Sequence, residues 1–165
     1  IIILATFLLL AVTSINAESV YSLEGINKVY LVVEGGGKDV SKKHKQQIIE
    51  QLKETTADLG IDTSGYDQRS LAVLIGVRSV GTSKLMSIRL LIGEQVLREG
   101  SHEKVFAITY ADKTRFELTS DVDMEDSLED AMDTLLGRFS NQYEDENEKI
   151  SKVVINDQDL SLIHI

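Results

Sequence analysis

Residues 71–92, LAVLIGVRSVGTSKLMSIRLLI, contain the pattern that decides the fold. The stretch from Leu71 to Val77 is apolar at nearly every position, which is typical of a strand covered on both faces. Gly-Thr-Ser at 81–83 indicates a turn. Residues 86–92 then alternate with a period of two, with Met, Ile, Leu and Ile at the even positions. The segment therefore predicts two antiparallel strands joined by a short turn.

The segment before these strands predicts a β-α-β unit. Residues 26–34, INKVYLVVE, are apolar and β-branched, and three glycines follow them. Residues 41–60 carry apolar side chains at helical spacing, with Asp39 or Ser41 as the N-cap. Gly60 suits a left-handed C-terminal cap that the next residue, Ile61, could cover. A right-handed crossover makes the two flanking strands parallel.

The segment after these strands predicts further sheet and a second helix. Residues 105–110 form a strand, and Ala-Asp-Lys-Thr at 111–114 can turn the chain into a short fifth strand at 115–118; the alternative is one long bent strand over 105–118. Residues 121–143 carry one apolar stripe and an acidic first turn, as a helix would. The order β-α-β-β-β(-β)-α predicts an α+β two-layer sandwich. Its two amphipathic helices cover one face of a mixed, mainly antiparallel sheet.

Composition limits the class of protein. The 165 residues suit one domain, which we place at 18–147, and a 42% hydrophobic content is enough for a core. The net charge of -10 repels phosphate backbones, so we expect no nucleic-acid partner. The chain contains no cysteine, which excludes a disulfide framework.

The first residues resemble an export signal. The run from Ile1 to Val12 is apolar, and small and polar residues follow up to Ala17. We expect 1–17 to be a truncated signal peptide that is cleaved after Ala17, because the apolar run is too short to span a membrane. The alternative is a buried N-terminal helix. We expect no transmembrane anchor in the mature chain.

The last residues change in character. Residues 148–159 are mostly polar, with an apolar run at 153–155, which predicts a polar tail or a partial strand. Residues 160–165, LSLIHI, match codon by codon the string CTG TCT CTT ATA CAC ATC. That string resembles the transposase mosaic-end adaptor of short-read sequencing libraries. We therefore expect 160–165 to be a translated adaptor and the sequence to be a fragment; a genuine terminal strand is the alternative.

Two motifs fail their tests. In the phosphate-loop pattern G-x-x-x-x-G-K-[ST], Val32 stands in place of the first glycine and Asp39 in place of the hydroxyl residue. A strand-to-helix turn is the better interpretation of residues 35–37. The acidic run 121–130 lacks the glycine and glutamate that a calcium loop needs, which favours a solvated helix face.

No catalytic, cofactor-binding or metal-binding residue is predicted. The three histidines, His44, His102 and His164, have no spaced partners that indicate a metal set. No G-x-S-x-G motif occurs. We therefore expect no cofactor and no enzymatic activity.

A basic cluster opens the first helix. Lys42, Lys43 and Lys45 lie where positive charge opposes the helix dipole, which favours a role other than stability. We consider these lysines candidate partner contacts, for instance with lipid headgroups or an anionic polymer. The alternative is a solvated helix start.

Together these features predict an exported, non-enzymatic protein that binds an unidentified protein or envelope partner. The periplasm fits an exported chain without cysteine, and the extracellular space is the alternative. Other possible functions are a secreted hydrolase that uses acidic residues and a carrier of a small ligand between helices and sheet. The layout is similar to that of small periplasmic accessory proteins that pair two helices with a mixed sheet.

Overall fold

The computed structural model describes residues 22–118 and 124–160. Within them, the elements are β1 (Tyr30–Gly35), α1 (Lys42–Asp58), β2 (Ser70–Val80), β3 (Ser83–Leu97), β4 (Lys104–Leu118) and α2 (Met124–Leu160). The strands form one sheet in the order β1-β2-β3-β4. The β1–β2 pair is parallel and the other two pairs are antiparallel. The predicted α+β class with a mixed, mainly antiparallel sheet is confirmed.

Several predictions concern residues that the structure does not describe. The signal peptide with its cleavage after Ala17 is one, and residues 161–165 of the expected adaptor stretch are another. Residues 119–123, which include the predicted start of the second helix, also lie outside it. The domain boundaries at 18 and 147 stay predictions.

Helix α1 begins and ends where its sequence signals lie. The Ser41 hydroxyl accepts a hydrogen bond from the backbone N–H of His44, so Ser41 is the N-cap. At the other end, the N–H of Gly60 donates to Ala57 and the N–H of Ile61 donates to Thr56. This pair of bonds is a Schellman motif, which the left-handed φ of 71° at Gly60 permits.

The chain does not turn at residues 111–114. They pair with residues 88–91 of β3 in unbroken register, so the alternative of one long strand is right and the fifth strand is wrong. Asp112 explains the difference, because its carboxylate accepts a hydrogen bond from Arg138 of α2 and is satisfied within a strand. A register shift lies between Ile92 and Gly93.

Helix α2 is longer than its sequence predicted. It runs to Leu160, so residues 148–159 are helical, and the alternative of a partial strand there is wrong. The reason is composition, because residues 144–159 contain no glycine or proline to stop the helix. Neither α1 nor α2, over the described residues, is both long and apolar enough to cross a membrane.

Alternate strand residues define two faces of the sheet, which we name the inner face and the outer face. The inner face carries Leu71, Val73 and Ile75 of β2, which pair with buried isoleucine and leucine residues of β3. These side chains form one core with the buried residues of both helices. The core residues from the helices are Ile48 and Leu52 of α1 and Leu128, Ala131, Met132, Leu135, Leu136 and Phe139 of α2.

Candidate functional site

The outer face of the sheet is the surface on which the described helices do not pack. Its central row runs across all four strands in register, from Val32 through Ala72 and Leu91 to Ala111. These four side chains are small or apolar and only partly buried. Antiparallel sheets that cover one face with helices commonly leave the other to solvent, where polar side chains are expected. An apolar row in that position is therefore unusual.

One end of the outer face is apolar, and we name it the apolar end. Its members are exposed by 44% to 65% of their surface. They are Tyr30, Leu97, Phe106 and Ile108. Tyr66, from the loop before β2, lies beside Tyr30 with ring centroids 5.7 Å apart and ring planes at 49°. Of the six large apolar side chains that are exposed in the described residues, these are five, so exposed apolar surface is concentrated in one place.

The aromatic ring of Phe106 lies over Gly93 on the outer face. A Cβ atom at position 93 would lie 2.4 Å from Cζ of Phe106, so only glycine leaves room for the ring there. The ring is nevertheless 64% exposed. The ring of Phe106 therefore contacts the sheet at Gly93 on one side and solvent on the other.

The other half of the outer face is positively charged, and we name it the cationic end. It consists of Arg78, Arg89, Lys113 and Arg115, all exposed. Arg89 lies directly opposite Lys113, and Ser87, the next outer-face residue of β3, lies opposite Arg115. Among the described residues, none of the four has an ion-pair partner. Glu34 and Glu117 are the carboxylates of the same face.

Ion pairs elsewhere in the fold show what a structural role looks like. Arg69 contacts Glu94 at 2.7 Å, and the Thr109 hydroxyl donates to the same carboxylate at 2.7 Å. Arg138 contacts Asp112 at 2.6 Å, and this bond raises the pKa of Arg138. Each of these cations is held against a strand by a carboxylate, unlike those of the cationic end.

One of the three lysines of the predicted basic cluster forms an ion pair within the fold. Lys43 donates to both carboxylate oxygens of Glu125 in α2, at 3.0 and 3.1 Å. The Gln47 amide donates to Glu125 as well, and the amide and the lysine together lower the pKa of that carboxyl group. Lys42 is exposed and Lys45 is half-buried, and neither has an ion pair among the described residues. Their role in partner contact stays a prediction.

The glycine loop after β1 is a tight turn. Gly35, Gly36 and Gly37 all have φ between 51° and 93°. A Cβ atom at Gly35 would lie 2.1 Å from the carbonyl oxygen of Ile75, and the N–H of Gly36 donates to that oxygen at 2.8 Å. The loop packs on the neighbouring strand, as the interpretation of 35–37 as a turn expects.

Among the described residues, the two carboxylates whose pKa values are shifted, Asp62 and Glu125, are each paired with a lysine. Within residues 22–118 and 124–160 there is no group of three His, Asp or Glu residues that could hold a metal ion. A bond from Lys28 holds the pKa of Asp62 well below its usual range. The pKa of Glu125 is also lowered, whereas a general acid needs a raised pKa. These observations give the hydrolase alternative no support.

The space between helices and sheet is filled by side chains. Leu52, Leu71 and Phe139 are fully inaccessible there. A surface cleft of about 510 Å³ lies instead between the loop before β2 and the end of β3, lined by Asn27, Lys28, Tyr66, Asp67, Gln68, Arg69, Glu94 and Gln95. Seven of these eight side chains are charged or amides, which differs from the mostly apolar lining of small-molecule pockets. This cleft therefore does not support the carrier alternative.

Comparison with known proteins gives distant similarities only. No protein-family model matches the chain, and no curated protein matches it. Among solved structures, a minor lipoprotein from Acinetobacter baumannii is 17% identical with a TM-score of 0.32; the match covers 71% of this chain and 91% of that one. The rare lipoprotein B from Shewanella oneidensis is 7% identical with a TM-score of 0.28, covering 82% and 99%. The site described above rests on this chain's own residues.

Proposed function

We propose that this protein is an exported, non-enzymatic accessory module of the cell envelope that binds a partner protein on the outer face of its sheet. The observation that carries the proposal is Phe106, whose ring lies over Gly93 while 64% of its surface stays exposed. Aromatic side chains that fill pockets of a partner dominate the energy of protein interfaces.

The surroundings of Phe106 support a protein interface. Leu97 and Ile108 lie on the same face of the same two strands, and the partly buried central row continues the apolar surface across the sheet. Charged side chains lie farther along the same strands. An apolar patch with polar groups at its margin is the usual composition of an interface.

The periplasm is the proposed location. The apolar run before Ala17 and the absence of cysteine support it. Fractionation of the source cells should find the protein with periplasmic markers, and recovery in the culture medium would favour the extracellular alternative.

Site-specific photo-crosslinking tests the proposed function. A photoreactive residue at Gln95, which is exposed on the outer face, should give one discrete adduct in extracts of the source envelope. The same residue at Gln46, an exposed glutamine of α1, is the matched control and should give none. Equal labelling from both positions, or no adduct from Gln95, would contradict the proposal.

Substitution of the aromatic anchor sharpens this test. Phe106→Ser should remove the adduct from Gln95, because it deletes the exposed ring. Val80→Ser removes an apolar side chain that is 55% exposed at the opposite end of the sheet, and should leave the adduct in place. An adduct that survives Phe106→Ser would mean that the partner binds elsewhere.

A further inference from the structure

We propose that the cationic end of the outer face binds carboxylates of the partner, so that the partner of this protein presents an acidic segment beside an apolar one. This inference rests on the proposed function and names the chemistry of the partner. The four cations and the apolar end lie on one face of the same strands, so a single partner would contact both.

The first argument is the cost of placing these charges together. Arg89 and Lys113 are directly opposite each other on neighbouring strands, and like charges in that position destabilise a sheet. Arg115 is two residues along β4 from Lys113 and on the same face. Edge strands often carry charged side chains to prevent aggregation, which would account for Lys113 and Arg115 on β4. It does not account for Arg89, because β3 is an inner strand of the sheet.

The second argument is the contrast with the rest of the chain. The protein has a net charge of -10, with 27 acidic and 17 basic residues. The strand positions at the cationic end of the outer face reverse that balance. They carry four cations and only two carboxylates, those of Glu34 and Glu117. An acidic partner would be repelled by most of the molecule and attracted by this end. Complementary charge of this kind steers association and selects the orientation of binding.

The third argument favours a polypeptide over a membrane surface as the binding partner of the outer face. A bilayer would have to receive the apolar end in its hydrocarbon region, with the β3–β4 hairpin entering first. The tip of that hairpin is the sequence REGSHEK over residues 98–104, which contains four charged side chains and a histidine. Burial of these charges in lipid is costly. The net negative charge of the protein also opposes binding to anionic headgroups.

The chemistry of the cations agrees with carboxylate partners. Three of the four are arginines, whose planar guanidinium groups bind a carboxylate through two parallel hydrogen bonds. Arginine is also enriched at protein interfaces, whereas lysine is depleted there. The acidic groups are expected to meet the cationic end while apolar side chains of the same partner cover Phe106.

The test uses the whole protein and a synthetic peptide. The probe carries a run of glutamates followed by a leucine-rich and phenylalanine-rich segment, and its matched peptide has lysines in place of the glutamates. Fluorescence anisotropy of the labelled peptides gives the affinity. The glutamate peptide should bind and the lysine peptide should not, and added salt should weaken binding because the cations are exposed.

The decisive variant combines Arg89→Gln, Lys113→Gln and Arg115→Gln. It should weaken binding of the glutamate peptide about tenfold, because three exposed charge contacts are lost together. The control combines Lys38→Gln, Lys53→Gln and Lys84→Gln, which changes the net charge equally at positions off the outer face and should leave the affinity unchanged. Removal of like charges should not unfold the variant, and circular dichroism checks this.

Each other result overturns the inference. Equal weakening in both triple variants would mean that net charge alone acts. Absence of binding by the glutamate peptide would exclude an acidic partner. Binding to phosphatidylglycerol vesicles that requires the three cations, without binding of the peptide, would make the site one for a membrane. Crosslinking from Gln95 that persists in the triple variant at full strength would leave the proposed function standing and remove the acidic partner.

Discussion

The two faces of the sheet differ in how their cations are paired and how their phenylalanines are buried. Against the inner face, Arg69 and Arg138 each contact a carboxylate, and Phe139 is fully buried. On the outer face, Arg89 faces another cation and Phe106 is 64% exposed. Folding explains the inner arrangement, because paired charges and buried rings lower the free energy of the native state. It does not explain the outer one, so the outer face is where binding to another molecule should be sought.

The largest expected effect compares the two phenylalanines. Phe139→Ala should lower the free energy of unfolding by about 3–5 kcal/mol, because it leaves a cavity in a filled core. Phe106→Ala should cost less than about 1 kcal/mol, because solvent already contacts the ring. Urea unfolding of both variants measures the difference. A loss at Phe106 as large as that at Phe139 would show that the outer ring is structural.

The sequence predicted the inner face far better than the outer one. Burial imposes a period of two on β3, so the alternation at 86–92 is visible without a structure. The cationic end is not visible in that way, because it depends on which residues of β4 lie opposite Arg89. Interpretation of residues 111–114 as a turn placed Lys113 in a loop, and only the unbroken register brings it beside Arg89. In the alternative of one long strand over 105–118, Lys113 and Arg115 lie at alternate positions, and this alternation was the available signal.

The aromatic anchor could not be predicted for a related reason. Phe106 is thirteen residues from Gly93 in the sequence, and the register shift beside Gly93 decides that they meet. Glycine in a strand indicates a close approach or a bulge, but not the side chain that approaches. The end of α2 was not predicted for a different reason. Residues 144–159 are mostly polar, yet they contain no glycine or proline to stop a helix.

The second prediction uses Tyr110, which is a polar group on the inner face. Burial, and then the nearby charge of Asp112, raise the pKa of Tyr110 to about 12 from an ordinary value of 10.0. A raised folded-state pKa means that the unfolded chain ionises first, so this stability is complete below pH 10 and is lost as the pH rises toward 12. The loss should approach about 2 kcal/mol. Urea unfolding measured across that range gives the value.

The matched variant for this prediction is Tyr110→Phe. It should remove the part of the alkaline loss that belongs to Tyr110, because phenylalanine fills the same buried space without an ionisable hydroxyl. The same alkaline loss in wild type and Tyr110→Phe would show that other groups cause it.

The third prediction concerns a paired inner cation. Arg69→Gln should cost about 1 kcal/mol, because Glu94 is largely covered and would lose its charged partner. Double substitution with Glu94→Gln should recover part of that loss, since no unpaired carboxylate then remains. A cost in the double variant equal to the sum of the two single ones would mean that the ion pair does not stabilise the fold.

The smallest effect should have the opposite sign. Arg89→Thr removes one of two like charges that face each other and adds a β-branched residue to a strand, so the free energy of unfolding should rise by about 0.5 kcal/mol. The rise should shrink in high salt, and it should be smaller when Lys113→Thr is already present, because the repulsion needs both charges. Thermal and urea unfolding at two salt concentrations measure all three variants. Lower stability in Arg89→Thr, unaffected by salt, would mean that Arg89 supports the sheet through packing of its stem. A gain in stability together with weaker binding of an acidic peptide would show that the outer face retains a destabilising charge because binding requires it.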